Sequence, residues 1–135
     1  MATKTYHGSC HCQKVKFEAD IDFAKGTGKC NCSICWKSRA WSAMVKPHAF
    51  RIKSGEGELS AYVVGGGAAQ YLFCKHCGIR VCGKGDIPEI GGAFVSVNVA
   101  TLDDVEPATL VENPIHLANG RADDWMNVPA EIRHL

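Results

Sequence analysis

The chain has 135 residues, 46% of them hydrophobic and 21% charged, which suits one folded unit with its own core and excludes a disordered tail protein. Its 8 cysteines exceed ordinary usage but fall short of the density of a disulfide scaffold. A formal net charge of +1 excludes a strongly cationic grip on nucleic acid by the molecule as a whole.

From the N-terminus, residues 1–12 show no basic segment followed by an apolar run, so no secretory signal is expected. The apolar runs farther along are strand-length, so no membrane span is expected either. A cytoplasmic location follows as the expectation, and clustered thiols in a reducing compartment read as metal ligands or catalytic groups. Val15, Phe17 and Ala19 alternate with Lys14, Lys16 and Glu18, which predicts a half-buried strand. Runs at 41–45, 59–64, 70–73, 79–82 and 93–99 predict further strands, and one helical turn is predicted near Ser33–Lys37. Breaks are predicted at 25–28, 54–57, 65–67, 83–85 and 91–92. Asn31-Cys32-Ser33 matches a glycosylation pattern but lies inside a cysteine cluster and is set aside. The sum is a mainly β fold in a single unit over residues 1–135.

Charge is unevenly spread. Lys25, Lys29, Lys37, Arg39, Lys46, Arg51 and Lys53 follow one another with no acid between Asp22 and Glu56, whereas acids dominate from Asp86 onward. A basic neighbourhood around the middle cysteines is expected, suited to an anionic ligand.

Seven cysteines form three groups: Cys10 and Cys12; Cys30, Cys32 and Cys35; Cys74 and Cys77. Cys74-Lys75-His76-Cys77-Gly78 has the spacing of a zinc knuckle, with Gly78 supplying backbone freedom. Cys10 and Cys12 are a sensible second pair, their following strand lying beside 79–82, which would close an all-thiolate structural site. The middle group supplies three ligands, so its fourth place is either open, as in a catalytic zinc, or filled by Cys82, His11 or His76. Zinc with three thiolates carries net negative charge and is a poor activator of water, so an open site favours a thiol that enters and loses its proton. Lys37, Arg39 and Arg80 are candidates to hold the carboxylates of a small anionic thiol, with Trp36 and Trp41 as walls. Cys82 reads as a small buried hydrophobe. His7, His48, His116 and His134 have no ligand-spaced partner and are expected in surface or structural roles. Asp103 and Asp104 are expected at a turn or helix start.

The ordered set Gly8-Ser9-Cys10-His11-Cys12, Cys30-Asn31-Cys32-Ser33-Ile34-Cys35, Phe73-Cys74-Lys75-His76-Cys77-Gly78 and Val97-Asn98-Val99-Ala100-Thr101-Leu102-Asp103-Asp104 resembles the glutathione-dependent formaldehyde-activating enzyme family, whose domain also occurs in centromere protein V. The resemblance runs over a core from about residue 8 to about residue 125. It implies a β-tent of small antiparallel sheets and two zinc ions per chain. Carried over by position, Cys10, Cys12, Cys74 and Cys77 would hold a structural zinc, and Cys30, Cys32 and Cys35 a catalytic one. The implied reaction is that of a carbon–sulfur lyase run in reverse, joining glutathione to formaldehyde as S-hydroxymethylglutathione. A small-molecule thiol is then the expected partner, with no membrane or nucleic acid.

Two other readings of the same residues stand beside it. One is a zinc-binding interaction module without turnover, using the basic middle segment. The basic residues are not interleaved with several aromatics, as a stacking surface for nucleic acid would need. The other is a different thiol-transfer or carbon–sulfur enzyme on the same scaffold.

Overall fold

The structure is a computed structural model that describes residues 3–135. It is mainly β, as the alternating runs require. Its strands are β1 (Lys4–Ser9), β2 (Lys16–Ile21), β3 (Thr27–Cys30), β4 (Ser42–Val45), β5 (Phe50–Ser54), β6 (Leu59–Val64), β7 (Ala69–Cys74), β8 (Arg80–Ile87), β9 (Gly92–Asn98) and β10 (Ile115–Ala118). Two short helices, α1 (Ser33–Ser38) and α2 (Pro107–Glu112), join them. Among the described residues, no helix is long and apolar enough to cross a membrane.

The strands form two sheets, one in the order β1-β2-β5 and one in the order β10-β3-β4-β9-β8-β7-β6. Pairing is antiparallel except between β10 and β3, which run parallel. Strand β2 shows why alternation decides the face: Phe17, Ala19 and Ile21 are buried while Lys16, Glu18 and Asp20 are not. From the larger sheet, Val81, Val95 and Val97 join Phe17 and Val15 in one core, each no more than 2% exposed. Each such side chain contributes about 1.5–3 kcal/mol when fully buried. The outer face of the smaller sheet carries Arg51, which makes paired hydrogen bonds of 2.9 Å to both carboxylate oxygens of Asp20 and also contacts Glu18.

The expected break at residues 83–85 is overturned, because Gly83 and Gly85 lie inside β8. Their lack of a side chain serves the neighbouring strands. A Cβ on Gly83 would stand 2.7 Å from Ser96 Oγ and 3.2 Å from the Tyr71 ring, and one on Gly85 would stand 2.6 Å from the Phe94 ring. The expected break at 25–28 is also shorter than predicted, since β3 begins at Thr27. Strands β1, β3, β5 and β10 and helix α2 carry no pattern that the sequence reading picked out. Helix α1 lies at the predicted helical turn.

Candidate metal centres

The first centre joins the two sheets. Cys10 and Cys12 sit in the connection between β1 and β2, while Cys74 ends β7 and Cys77 lies in the turn before β8. The strand that follows Cys12 does not run beside residues 79–82, contrary to expectation, because β2 belongs to the smaller sheet. Contact is made by the turns instead. Gly78 adopts a φ of +78°, and its N–H donates to the Cys74 carbonyl at 2.8 Å, closing the knuckle.

The sulfurs of Cys10, Cys12, Cys74 and Cys77 all lie within 4.8 Å of one another. Cys10 Sγ and Cys12 Sγ are 3.7 Å apart, and Cys12 Sγ and Cys74 Sγ are 3.6 Å apart. Four thiolates around one tetrahedral zinc at about 2.3 Å stand about 3.8 Å apart, so the donor set fits that ion. The backbone already favours thiolates here. The N–H groups of Val15 and His76 donate to the sulfurs of Cys10 and Cys74, each at 3.4 Å. Donors from the backbone of Cys12 and then Ile79 bring the Cys77 thiol down to about 6.

The second centre is built on a strand-to-helix turn. Cys30 ends β3, Cys32 caps the start of α1 in an extended conformation, and Cys35 lies one turn into the helix. Arg39, in the left-handed region at φ +55°, stops the helix after six residues. Their three sulfurs lie within 4.8 Å of one another, and among the described residues neither Cys82 nor a histidine joins the group. Cys82 is instead 1% exposed in the core, where burial pushes its thiol up to about 12. His76 is engaged with Glu58, and His11 is exposed.

Burial raises the Cys35 thiol, the charge of Cys32 adds to that, and the Arg80 guanidinium opposes it. Burial also raises Cys30, against the N–H groups of Cys32 and Gly120. Three soft, half-buried sulfur donors this close together suit zinc.

Beside this trio lies a cavity of about 210 Å³, lined by Cys30, Cys35, Trp36, Arg39, Trp41 and His134 among others. Lys29 also lines it, its ammonium 4.5 Å from the centre of the Trp41 ring. Of the three cations expected near the site, Arg39 lines the cavity. Arg80 stacks on Tyr71 at 4.6 Å and acts on Cys35 by its charge. Lys37 is exposed on α1 and does not line the cavity. Other members of the basic run are elsewhere: Arg51 is paired with Asp20, and Lys25 and Lys46 line a separate groove.

Sequence reasoning missed four participants. Tyr71 carries Arg80 and feels the negative charge of Cys35. Gly120 presses against Cys30, Arg121 lies 5.1 Å from the centre of the Trp36 ring, and His134 packs at a tilt against Trp36 with ring centres 4.8 Å apart. Asn31, set aside as part of a glycosylation pattern, holds the turn that brings Gly120 in. Its Nδ2 donates to Asn119 Oδ1 at 2.9 Å, and its Oδ1 accepts from the Arg121 N–H at 2.9 Å. Asp103 and Asp104 accept from Ser9 and His7 and so fasten β1 to the segment after β9.

A crystal structure of a Rhodobacter sphaeroides protein, a structural-genomics target, is 30% identical, with a TM-score of 0.69 over 81% of this chain and 98% of that one. Residues 5–117 match the model of the glutathione-dependent formaldehyde-activating enzymes, a span that holds all seven clustered cysteines. The chain therefore belongs to the glutathione-dependent formaldehyde-activating enzyme family.

Proposed function

We propose that the protein is a zinc enzyme that joins a thiol to a small aldehyde, glutathione and formaldehyde being the pair in its family's name. In this reading, Cys10, Cys12, Cys74 and Cys77 hold a structural zinc, and Cys30, Cys32 and Cys35 hold a catalytic one. A zinc ion bound by the trio supplies a fourth coordination position that holds a thiol in its deprotonated form. The observation that carries the proposal is the difference between the two clusters: four sulfurs close one, whereas three sulfurs beside a cavity form the other.

The chain's own residues contribute position and charge. Arg39 and Lys29 line the cavity and suit the carboxylate of an anionic thiol. Trp36 and Trp41 are apolar walls of the same cavity, and a less polar surrounding strengthens those charges. Arg80, held on Tyr71, offsets the negative charge of the three thiolates. The substrate sulfur forms a bond to the aldehyde carbon, the carbonyl π pair moves to oxygen, and that oxygen takes a proton equivalent to the one the thiol released. The product is an S-hydroxymethyl thioether, and no oxidant or reductant is needed.

The test is Cys35→Ser. Turnover of glutathione and formaldehyde should fall by at least about 100-fold, with the far-ultraviolet circular dichroism retained and bound zinc reduced from two ions to one. Full activity in this variant contradicts the proposal.

A further inference from the structure

We propose that residues 131–135 form a size gate over the Cys30, Cys32 and Cys35 site, selecting short thiol carboxylates over a tripeptide thiol. The inference rests on the reading of that site as one that accepts a thiol. Two contacts draw the segment over the cavity. Arg39 Nη1 donates to the His134 carbonyl at 2.7 Å, and the His134 ring packs against Trp36 with ring centres 4.8 Å apart and the planes inclined by 59°. His134 and Leu135 thereby become cavity wall. The remaining bonds of the segment are local, from Arg133 to Glu131 and from Leu135 to Ile132.

The gate lies outside the span of 5–117 that matches the family model. It has two consequences for what can enter. The cavity that remains holds about 210 Å³, below the roughly 300–1,000 Å³ of sites that enclose drug-sized ligands. Arg39, one of two cations on the cavity wall, already has a main-chain carbonyl on its guanidinium. A thiol the size of 3-mercaptopropionate fits that space and needs one cation, which Lys29 supplies. Glutathione carries two carboxylates on a longer frame, so it binds only when His134 leaves Trp36 and frees Arg39. Its affinity is lowered by the cost of that opening.

The experiment titrates the cobalt-loaded full chain with 3-mercaptopropionate and with glutathione, following sulfur-to-cobalt charge-transfer absorption. The same titrations are run on His134→Ala and on a chain ending at Ala130. In the native chain 3-mercaptopropionate should bind at least about fivefold more tightly, the scale of one aromatic pair contact. His134→Ala should narrow the gap and the shortened chain should close it, in both cases through a lower Kd for glutathione. Equal affinities in the native chain overturn the gate and leave thiol binding standing. So does a native preference that survives both variants, or a shift that is the same for both thiols. If neither thiol changes the spectrum in any chain, the thiol-accepting reading falls and the gate falls with it.

Discussion

A Cβ on Gly120 would stand 2.6 Å from Cys30 Sγ and 2.5 Å from the Trp125 ring. Cys30 and Gly120 are ninety positions apart, and Asn31 joins them by holding Asn119 and Arg121. The turn at Gly120 is therefore part of the second candidate metal centre, although it supplies no ligand. Its backbone N–H faces the Cys30 sulfur and favours the thiolate.

Gly120→Ala should displace that sulfur. Groups behind the ligands commonly cost about 10–100-fold in metal affinity when altered, and a loss on that scale is expected for one of two zinc ions. Competitive titration with a chromogenic chelator reads it as a wider separation between the two release steps. A release profile identical to the native one contradicts the role given to this glycine.

The two centres should also differ in what they do for folding. Cys10, Cys12, Cys74 and Cys77 tie the β1–β2 connection to the β7–β8 turn across the two sheets. Binding free energy there is folding free energy. Cys74→Ser is thus expected to give aggregation or a lowering of Tm by at least about 10 °C, on the scale at which about 1 kcal/mol moves a domain of this size by several degrees. Cys35→Ser should lower Tm by much less. Thermal melts of the two variants, each with zinc supplied, compare the effects, and equal destabilisation contradicts the division into structural and catalytic sites.

Acid sensitivity has a specific source in the smaller sheet. Hydrogen bonds from Arg51, then one from Thr5, hold the Asp20 carboxyl down at about 2, against an ordinary 3.8. Because the folded value lies below the unfolded one, the pair stabilises the fold above pH 4 and loses that contribution as pH falls from about 4 to about 2. Both side chains are about a third exposed, so the effect is small. Asp20→Asn should lower Tm slightly at pH 7, and the gap from the native chain should shrink steadily below pH 4. A gap that is constant across this range contradicts the assignment.

Much of this site is legible in the sequence because the grouping of candidate metal ligands is set by short spacings. Cys74 and Cys77 with Gly78, and Cys30, Cys32 and Cys35 leading into a helical turn, declare their chemistry locally. The strands that alternate, such as β2 and β9, are legible for the same reason. Gly83 and Gly85 mislead, since the requirement they meet lies in Tyr71, Ser96 and Phe94 on neighbouring strands. The parallel pairing of β10 with β3 is invisible because it joins residues some ninety positions apart. Gly120, Arg121 and His134 come from the acidic third of the chain, where charge bookkeeping offers no reason to look for walls of a basic cavity. The basic run itself misleads in part, because Arg51 is engaged by Asp20 and Glu18 on the far sheet.

The most direct test of the central claim is a crystal structure of the zinc-loaded protein with glutathione bound. A thiol sulfur at about 2.3 Å from a zinc ion held by Cys30, Cys32 and Cys35 is the predicted result. A fourth ligand supplied by one of the chain's own side chains, with glutathione bound elsewhere or not at all, would contradict the account.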